Sequence, residues 1–371
     1  MIYADNAATT KLDIDAFEAM KPFLLEKYGN ASQPYSFGVE ARRVINEARK
    51  TIAECLGAEP EEIYFTSGGT ESDNWAIKMG SKIVKTDGNI ITSQIEHHAI
   101  LHACSAMEKK GIEVKYLPVT QEAIVLPETL SQTISAKTSL VSVMMANNEV
   151  GSIQPIKELA EIAHQSGALF HTDAVQAVGH IEIDVRDLGV DMLSASAHKF
   201  NGPKGIGFLF VKNGIALKPF IEGGAQERQM RAGTENVAGI VGMAIALKKN
   251  CSDLKINIAY IQNLSEYLLV ELKKCCKNFL VLGSKNRIPG NISLAFQNIE
   301  GEVILHRLDI MGTYISTGAA CNSKNTEISH VIKAMKIQSD YALGTIRISI
   351  GKTNTIGEMH LLIKQLAMIL G

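Results

Sequence analysis

No apolar run in this 371-residue chain is long enough to cross a bilayer. The longest uncharged one, Val237 to Leu247, has 11 residues, against the ~20 that a spanning helix needs. The first residues, Met1-Ile2-Tyr3-Ala4-Asp5, show neither a basic nor an apolar leader segment, so no signal peptide is expected. Charge of one sign is also missing. Lys plus Arg number 37 and Asp plus Glu 39, for a net charge of -2, which argues against nucleic-acid binding through bulk charge. There is no internal repeat and no low-complexity linker. The six cysteines, Cys55, Cys104, Cys251, Cys275, Cys276 and Cys321, form no C-x-x-C pair, which excludes a zinc ribbon and a thioredoxin motif. A long chain without an export signal is expected in the cytoplasm, with its thiols reduced.

What is present is ordinary globular composition, 46% hydrophobic and 20% charged. Short apolar runs alternate with amphipathic stretches, the texture of an α/β fold. Strands are predicted at residues 63–66, 140–146, 168–172, 190–196 and 205–211. Helices are predicted from about residue 70 through Lys78 and over 155–166, the latter with Pro155 at its start and Gly167 just past its end. Strand, helix, strand in this order predicts right-handed crossovers in one parallel sheet. Beyond about residue 250 the texture changes: a long helix over 256–276, strands over 291–296 and 346–350, and a closing helix over 356–370. The reading is a large domain over 14–250 with a mainly parallel sheet, and a smaller α+β domain over 251–371 with residues 1–13 packed on it.

Five segments carry chemistry. Ser196-Ala197-His198-Lys199, running into Asn201-Gly202-Pro203-Lys204-Gly205, puts a lysine between an apolar strand and a glycine-rich turn. A lysine used covalently has to be desolvated or bound as a Schiff base, although a surface lysine at a strand end has the same local pattern. Asp173, in His171-Thr172-Asp173-Ala174-Val175-Gln176, lies at the carboxyl end of an apolar strand, where ligands sit in open α/β sheets. A carboxylate there can pair with a protonated ring nitrogen or simply cap a helix. Ser67-Gly68-Gly69-Thr70-Glu71-Ser72 offers backbone N–H groups to an anion, or plain helix capping. His97 reads as a ring for stacking or proton transfer. His98 and His102 share a helical face, but no third ligand makes them a zinc site. Cys321 stands in Ser316-Thr317-Gly318-Ala319-Ala320-Cys321-Asn322-Ser323, small polar surroundings that suit a reactive thiol. The other five cysteines read as structural.

Taken together, and in this order along the chain, these motifs resemble those of the cysteine desulfurases of the NifS/IscS type, within the class V aminotransferase group of pyridoxal-phosphate enzymes of fold type I. The resemblance runs from Tyr3-Ala4-Asp5-Asn6-Ala7-Ala8-Thr9-Thr10, through Asn147-Asn148-Glu149-Val150-Gly151 and Arg231-Ala232-Gly233-Thr234, to Gly344-Thr345-Ile346-Arg347-Ile348-Ser349. It implies pyridoxal 5'-phosphate on Lys199, with Asp173 on the ring nitrogen, Gln176 on the phenolic oxygen and His97 stacked on the ring. It implies Gly69, Thr70, Ser196 and His198 at the phosphate, with Thr234 reaching in from a second subunit of a homodimer. Asn148 would line the substrate side and Arg347 would clamp the carboxylate of L-cysteine. Cys321 would take the sulfur as a persulfide and pass it to an acceptor protein, an iron–sulfur scaffold or a tRNA-thiolation enzyme, with L-alanine released. A selenocysteine lyase or another enzyme of the same group is the alternative. Gln226 stands where the family commonly has His, residues 322–329 differ from the family's common Glu-Pro-Ser version, and little chain follows the last helix. No metal, membrane or direct nucleic-acid partner is expected.

Overall fold

The computed structural model describes residues 1–80, 88–317 and 328–371. Its strands in chain order are β1 (Ile2–Tyr3), β2 (Ile63–Thr66), β3 (Asn89–Ser93), β4 (Val114–Leu117), β5 (Thr138–Ser142), β6 (Leu169–Asp173), β7 (Met192–Ser196), β8 (Gly207–Val211), β9 (Phe279–Leu282), β10 (Asn291–Phe296), β11 (Thr313–Tyr314), β12 (Ser316–Thr317) and β13 (Thr345–Ser349). The α-helices are α1 (Ile14–Leu25), α2 (Ser36–Leu56), α3 (Gly69–Trp75), α4 (His98–Glu108), α5 (Pro127–Thr133), α6 (Ile156–Gln165), α7 (Val185–Leu188), α8 (Val237–Ser252), α9 (Leu254–Cys275), α10 (Gly301–Ile310), α11 (His330–Ala334), α12 (Ser339–Ala342) and α13 (Ile356–Leu370).

Seven strands form one sheet in the order β2-β8-β7-β6-β5-β3-β4. Its pairs from β7 through β4 are parallel, whereas β8 runs antiparallel to both β2 and β7. The sheet is mainly parallel, as expected, with β8 the strand that runs against its neighbours. The link from Ser196 to Gly207 is too short for a helical crossover, which takes a dozen residues or more, so β8 turns back beside β7. Neighbouring residues on each central strand enter different cores. Ile91, Val141 and Leu193 pack with α2, α6 and α8, while Ile90, Leu140 and Met192 pack with α3 and α4. That two-sided burial is why these strands read as unbroken apolar runs.

The apolar run at 237–247 is α8, a core helix between α1 and α2. Its small residues permit close approach: a Cβ on Gly242 would lie 2.5 Å from Met20 Sδ. The run at 140–146 forms strand only to Ser142. Beyond it Val143 N and Met145 N still donate to the β6 carbonyls of His171 and Asp173, while Met144 N between them turns to the buried Glu96 carboxylate and Met144 lines a cavity.

A second sheet has the order β12-β13-β10-β9 and is antiparallel. α9, α10 and α13 cover it, and its core takes in Ile2 and Ala4 from the amino-terminal end. β1 pairs in parallel with β11. Among the described residues no helix is long and apolar enough to cross a membrane.

Residues 227–229 take three successive left-handed conformations, φ 46°, 58° and 66° at Glu227, Arg228 and Gln229. None is glycine, so each conformation is strained and has to be held from outside. Arg49 grips the Glu227 carboxylate with two N–H groups at 2.8 and 2.6 Å, and Phe65 N donates to it at 2.8 Å. Arg228 donates to the carbonyls of Glu61 and Ile63 and stacks over Tyr64. Glu227→Gln leaves the nearly buried Arg49 charge without its counter-ion. Such losses cost about 3–5 kcal/mol, and a lower denaturant midpoint at unchanged slope is the expected result.

Candidate active site

The carboxyl ends of β5, β6 and β7, the turn after β2 and the amino-terminal segment enclose a cavity of about 670 Å³. That volume is within the usual range for small-molecule sites. Gly69, Thr70, His97, Asn148, Asp173, Gln176, Ser196, His198, Lys199 and Arg347, all singled out in the sequence, line it together. One of the expected residues does not. Thr234 is exposed and lines a neighbouring cavity of about 190 Å³ with Arg231 and Ser67. Cys321 falls outside the described residues.

Lys199 ends a short 3-10 turn that follows β7 directly. Its Nζ donates to the carbonyls of Ala7 at 2.6 Å and Ala8 at 2.9 Å. His180 Nε2 holds the Lys199 carbonyl at 2.9 Å. Gln176 Nε2 donates to the same Ala7 carbonyl at 3.0 Å. The amino-terminal segment thus supplies the seat of the lysine.

Asp173 is buried, and its Oδ1 accepts from Val175 N at 2.9 Å. Burial pushes its carboxyl upward, while His97, the Val175 N–H and Lys199 pull it back. Asp73, also buried and lining the cavity, is pushed well upward by burial and then by the charge of Asp173. A cation placed among them relieves both. His97 caps α4, its Nδ1 accepting from Ala99 N at 3.1 Å, so in the neutral ring the proton sits on Nε2. Burial lowers the His97 pKa, and His198 is brought down to about 4 by burial and by its lysine neighbours.

The loop before α3 is shaped by its glycines. Gly68 has φ 149°, and a Cβ on Gly69 would lie 2.5 Å from Val175 Cγ2. A Cβ on Gly207 would lie 2.7 Å from Gly68 Cα, so the loop also rests directly on β8. Gly69 and Thr70 share this end of the cavity lining with Ser196, His198 and Lys204, a setting for an anion. Glu71 accepts from Ser67 N and forms a two-bond ion pair with Arg231 at 2.8 and 3.0 Å, which joins this loop to the Thr234 segment.

On the opposite wall Arg347 donates to Asn148 O at 2.8 Å and to Asp5 Oδ1 at 2.6 Å. Its Nε is buried with no protein partner, which suits an incoming carboxylate. Glu149 accepts from Ser329 Oγ at 2.6 Å, and burial pushes its pKa up to about 7. Glu96, under Met144, is pushed to about 8 in the same way.

Asp5, Asp73, Glu149 and Lys204 are cavity residues to which the sequence reading assigned no role. Each lies within or beside a quoted motif, so position in the motif was the available signal. Among the described residues no group of three or more His, Cys, Asp or Glu is arranged to hold a metal. The His98 and His102 rings do lie together, 5.1 Å between centroids and tilted by 32°.

The donor set fits pyridoxal phosphate. The cavity has a lysine, a buried carboxylate in need of a positive partner, and a glycine cradle for an anion. Comparison with known proteins agrees. The chain is 47% identical to the cysteine desulfurase IscS of Dictyoglomus turgidum over 97% of its own length and 92% of the relative's. It is 47% identical to that of Methanosarcina thermophila over 95% and 88%. It superposes on the solved structure of a NifS-like protein with a TM-score of 0.94 at 38% identity, covering 100% of this chain and 99% of the other. The Aminotransferase class-V profile matches residues 2–362, and the chain belongs to that family.

Proposed function

We propose that this chain is a cysteine desulfurase that uses pyridoxal 5'-phosphate to move the sulfur of L-cysteine onto Cys321, releasing L-alanine. The observation that carries the reading is the convergence, on one cavity, of Lys199, Asp173 and Arg347 in a chain so similar to cysteine desulfurases over nearly its whole length.

When bound, the cofactor supplies a sink for the electrons released at the substrate's α carbon. Every other task falls to the chain's own residues. Lys199 would hold the cofactor covalently, and its amino group, when free, would accept and return the α proton. The buried Asp173 carboxylate would pair with the ring nitrogen, because a cation is the partner its burial calls for. Gln176 would serve the phenolic oxygen, His97 the ring face and Asn148 the substrate side. Gly69, Thr70, Ser196 and His198 would hold the phosphate. Arg347, oriented by Asp5 and the Asn148 carbonyl, fixes the substrate carboxylate.

Cys321 then attacks the substrate sulfur and carries it as a persulfide to an acceptor protein, an iron–sulfur scaffold or a tRNA-thiolation enzyme. Thr234, exposed in the single chain and tied to the phosphate loop through Arg231 and Glu71, completes the site of a second copy in a homodimer. The reading also divides the chain into a cofactor-binding domain over 14–250 and a smaller domain over 251–371 that carries residues 1–13. The apolar core under the second sheet, distinct from those of the seven-stranded sheet, supports this, while a smaller cluster joins Met144 and Val150 to Ala295 and Val331 across the boundary.

Lys199→Ala protein mixed with pyridoxal phosphate is expected to remain without the yellow absorbance of the wild type and to make no alanine from L-cysteine. Retained turnover contradicts the role of Lys199. Cys321→Ser should keep the colour yet gain no sulfur, as seen by mass spectrometry of the cysteine-treated protein. The same change at any of the other five cysteines should leave persulfide formation in place. For the homodimer, sedimentation should give twice the chain mass. An active monomer at working concentration rules out the contribution of Thr234 across subunits.

A further inference from the structure

A carboxylate beside an anion seat works against it, and Glu71 is such a carboxylate. It stands in the first turn of α3 and lines the main cavity together with Gly69, Thr70, Ser196 and Lys204. Its side chain is 10% exposed. An ionised group so placed repels a phosphate held by its neighbours, and a partly buried charge is little screened by salt.

The counter-charge comes from 160 residues away in the chain. Arg231 Nε donates to Glu71 Oε1 at 2.8 Å and Arg231 Nη2 to Glu71 Oε2 at 3.0 Å, the two-bond geometry of a guanidinium on a carboxylate. Glu71 Oε2 also accepts from Ser67 N at 2.9 Å. Both carboxylate oxygens are therefore engaged. Burial by itself pushes the Glu71 carboxyl upward, but Arg231 and the Ser67 bonds outweigh it and hold the group below the usual range. Ser67 and Gly205 line both the main cavity and the smaller one that Arg231 lines, so the ion pair lies where the two cavities share a wall. Arg231 itself does not line the main cavity.

We propose that Arg231 is a positioning residue for the cofactor's phosphate: it acts through Glu71, offsetting that carboxylate's charge beside the phosphate seat, and does not touch the phosphate itself. The proposal rests on the reading of the main cavity as a pyridoxal-phosphate site. A purely mechanical tie between the α3 turn and the Arg231 segment predicts that breaking the pair from either side weakens every ligand alike. Charge offset predicts the opposite asymmetry. Loss of Arg231 leaves an uncancelled negative charge, whereas loss of the Glu71 charge leaves none, and only a ligand that carries the phosphate feels the difference.

The test compares the full chain, stripped of cofactor, as wild type, Arg231→Met, Glu71→Gln and the double variant. The single tryptophan, Trp75, is buried at the end of α3, so its fluorescence reads binding without turnover. The probes are pyridoxal 5'-phosphate and pyridoxal, which differ only in the phosphate. Arg231→Met should weaken pyridoxal phosphate by about tenfold or more, the scale of one uncancelled charge in a partly buried site, and leave the affinity for pyridoxal as it was. Glu71→Gln, which removes the charge yet keeps an oxygen for Ser67 N, should bind pyridoxal phosphate as tightly as the wild type or tighter. The double variant should recover most of what Arg231→Met loses. The proposal fails if Arg231→Met binds pyridoxal phosphate like the wild type, if pyridoxal loses as much, if Glu71→Gln weakens binding as Arg231→Met does, or if the double variant is no better than Arg231→Met. Should Arg231→Met not fold, Glu71→Gln decides: equal or tighter binding supports the proposal and weaker binding overturns it. Wild-type protein that binds pyridoxal phosphate but makes no alanine from L-cysteine contradicts the desulfurase reading alone, and the four affinities still decide the role of Arg231. Wild-type protein that binds no pyridoxal phosphate overturns both.

Discussion

The turn formed by residues 5–10 has to stay seated between two sheets, and the cavity depends on it. Ala7 N donates to Ser349 Oγ on β13, and Asp5 accepts from Arg347 on the same strand. In the other direction Ala7 O accepts from Lys199 and Gln176, and Thr10 binds the His198 carbonyl through both its N–H and its hydroxyl. A few residues near the start of the chain therefore fix the distance between the lysine and the arginine. Side chains held by buried hydrogen bonds need little reorganisation when a ligand arrives.

Electrostatics around the cavity are arranged in two zones. Asp73, Glu96, Glu149 and Asp173 are all buried, and burial raises the pKa of each. Nearby, Lys199, Lys204 and Arg347 line the same cavity, and two histidines in it, His97 and His198, are held toward the neutral form. A ligand that presents a positive ring nitrogen to Asp173 and negative groups to the glycine cradle and Arg347 satisfies both zones. Neutral histidines beside it can give or take a proton without adding a competing charge.

Local chemistry was legible along the chain. The strands at 63–66 and 291–296 and the helix at 356–370 form over the residues predicted, because their apolar periodicity and flanking turn residues are properties of near neighbours. The stretch at 140–146 misled, since an apolar run cannot show where a strand ends and a backbone N–H turns to a buried side chain, as Met144 N does to Glu96. The direction of β8 was likewise hidden in the length of a loop.

By itself, then, the sequence determined which reactive groups exist and which sit at the ends of strands or in glycine turns: Lys199, Asp173, Gly69 and the small-residue surroundings of Cys321. Only the tertiary structure decided which of them meet. Asp5 on Arg347, Ser329 on Glu149 and Arg49 on Glu227 join residues far apart in the chain. Such contacts follow from how the cores pack and where the chain crosses between them, and no local pattern of side chains encodes a partner so far away in sequence.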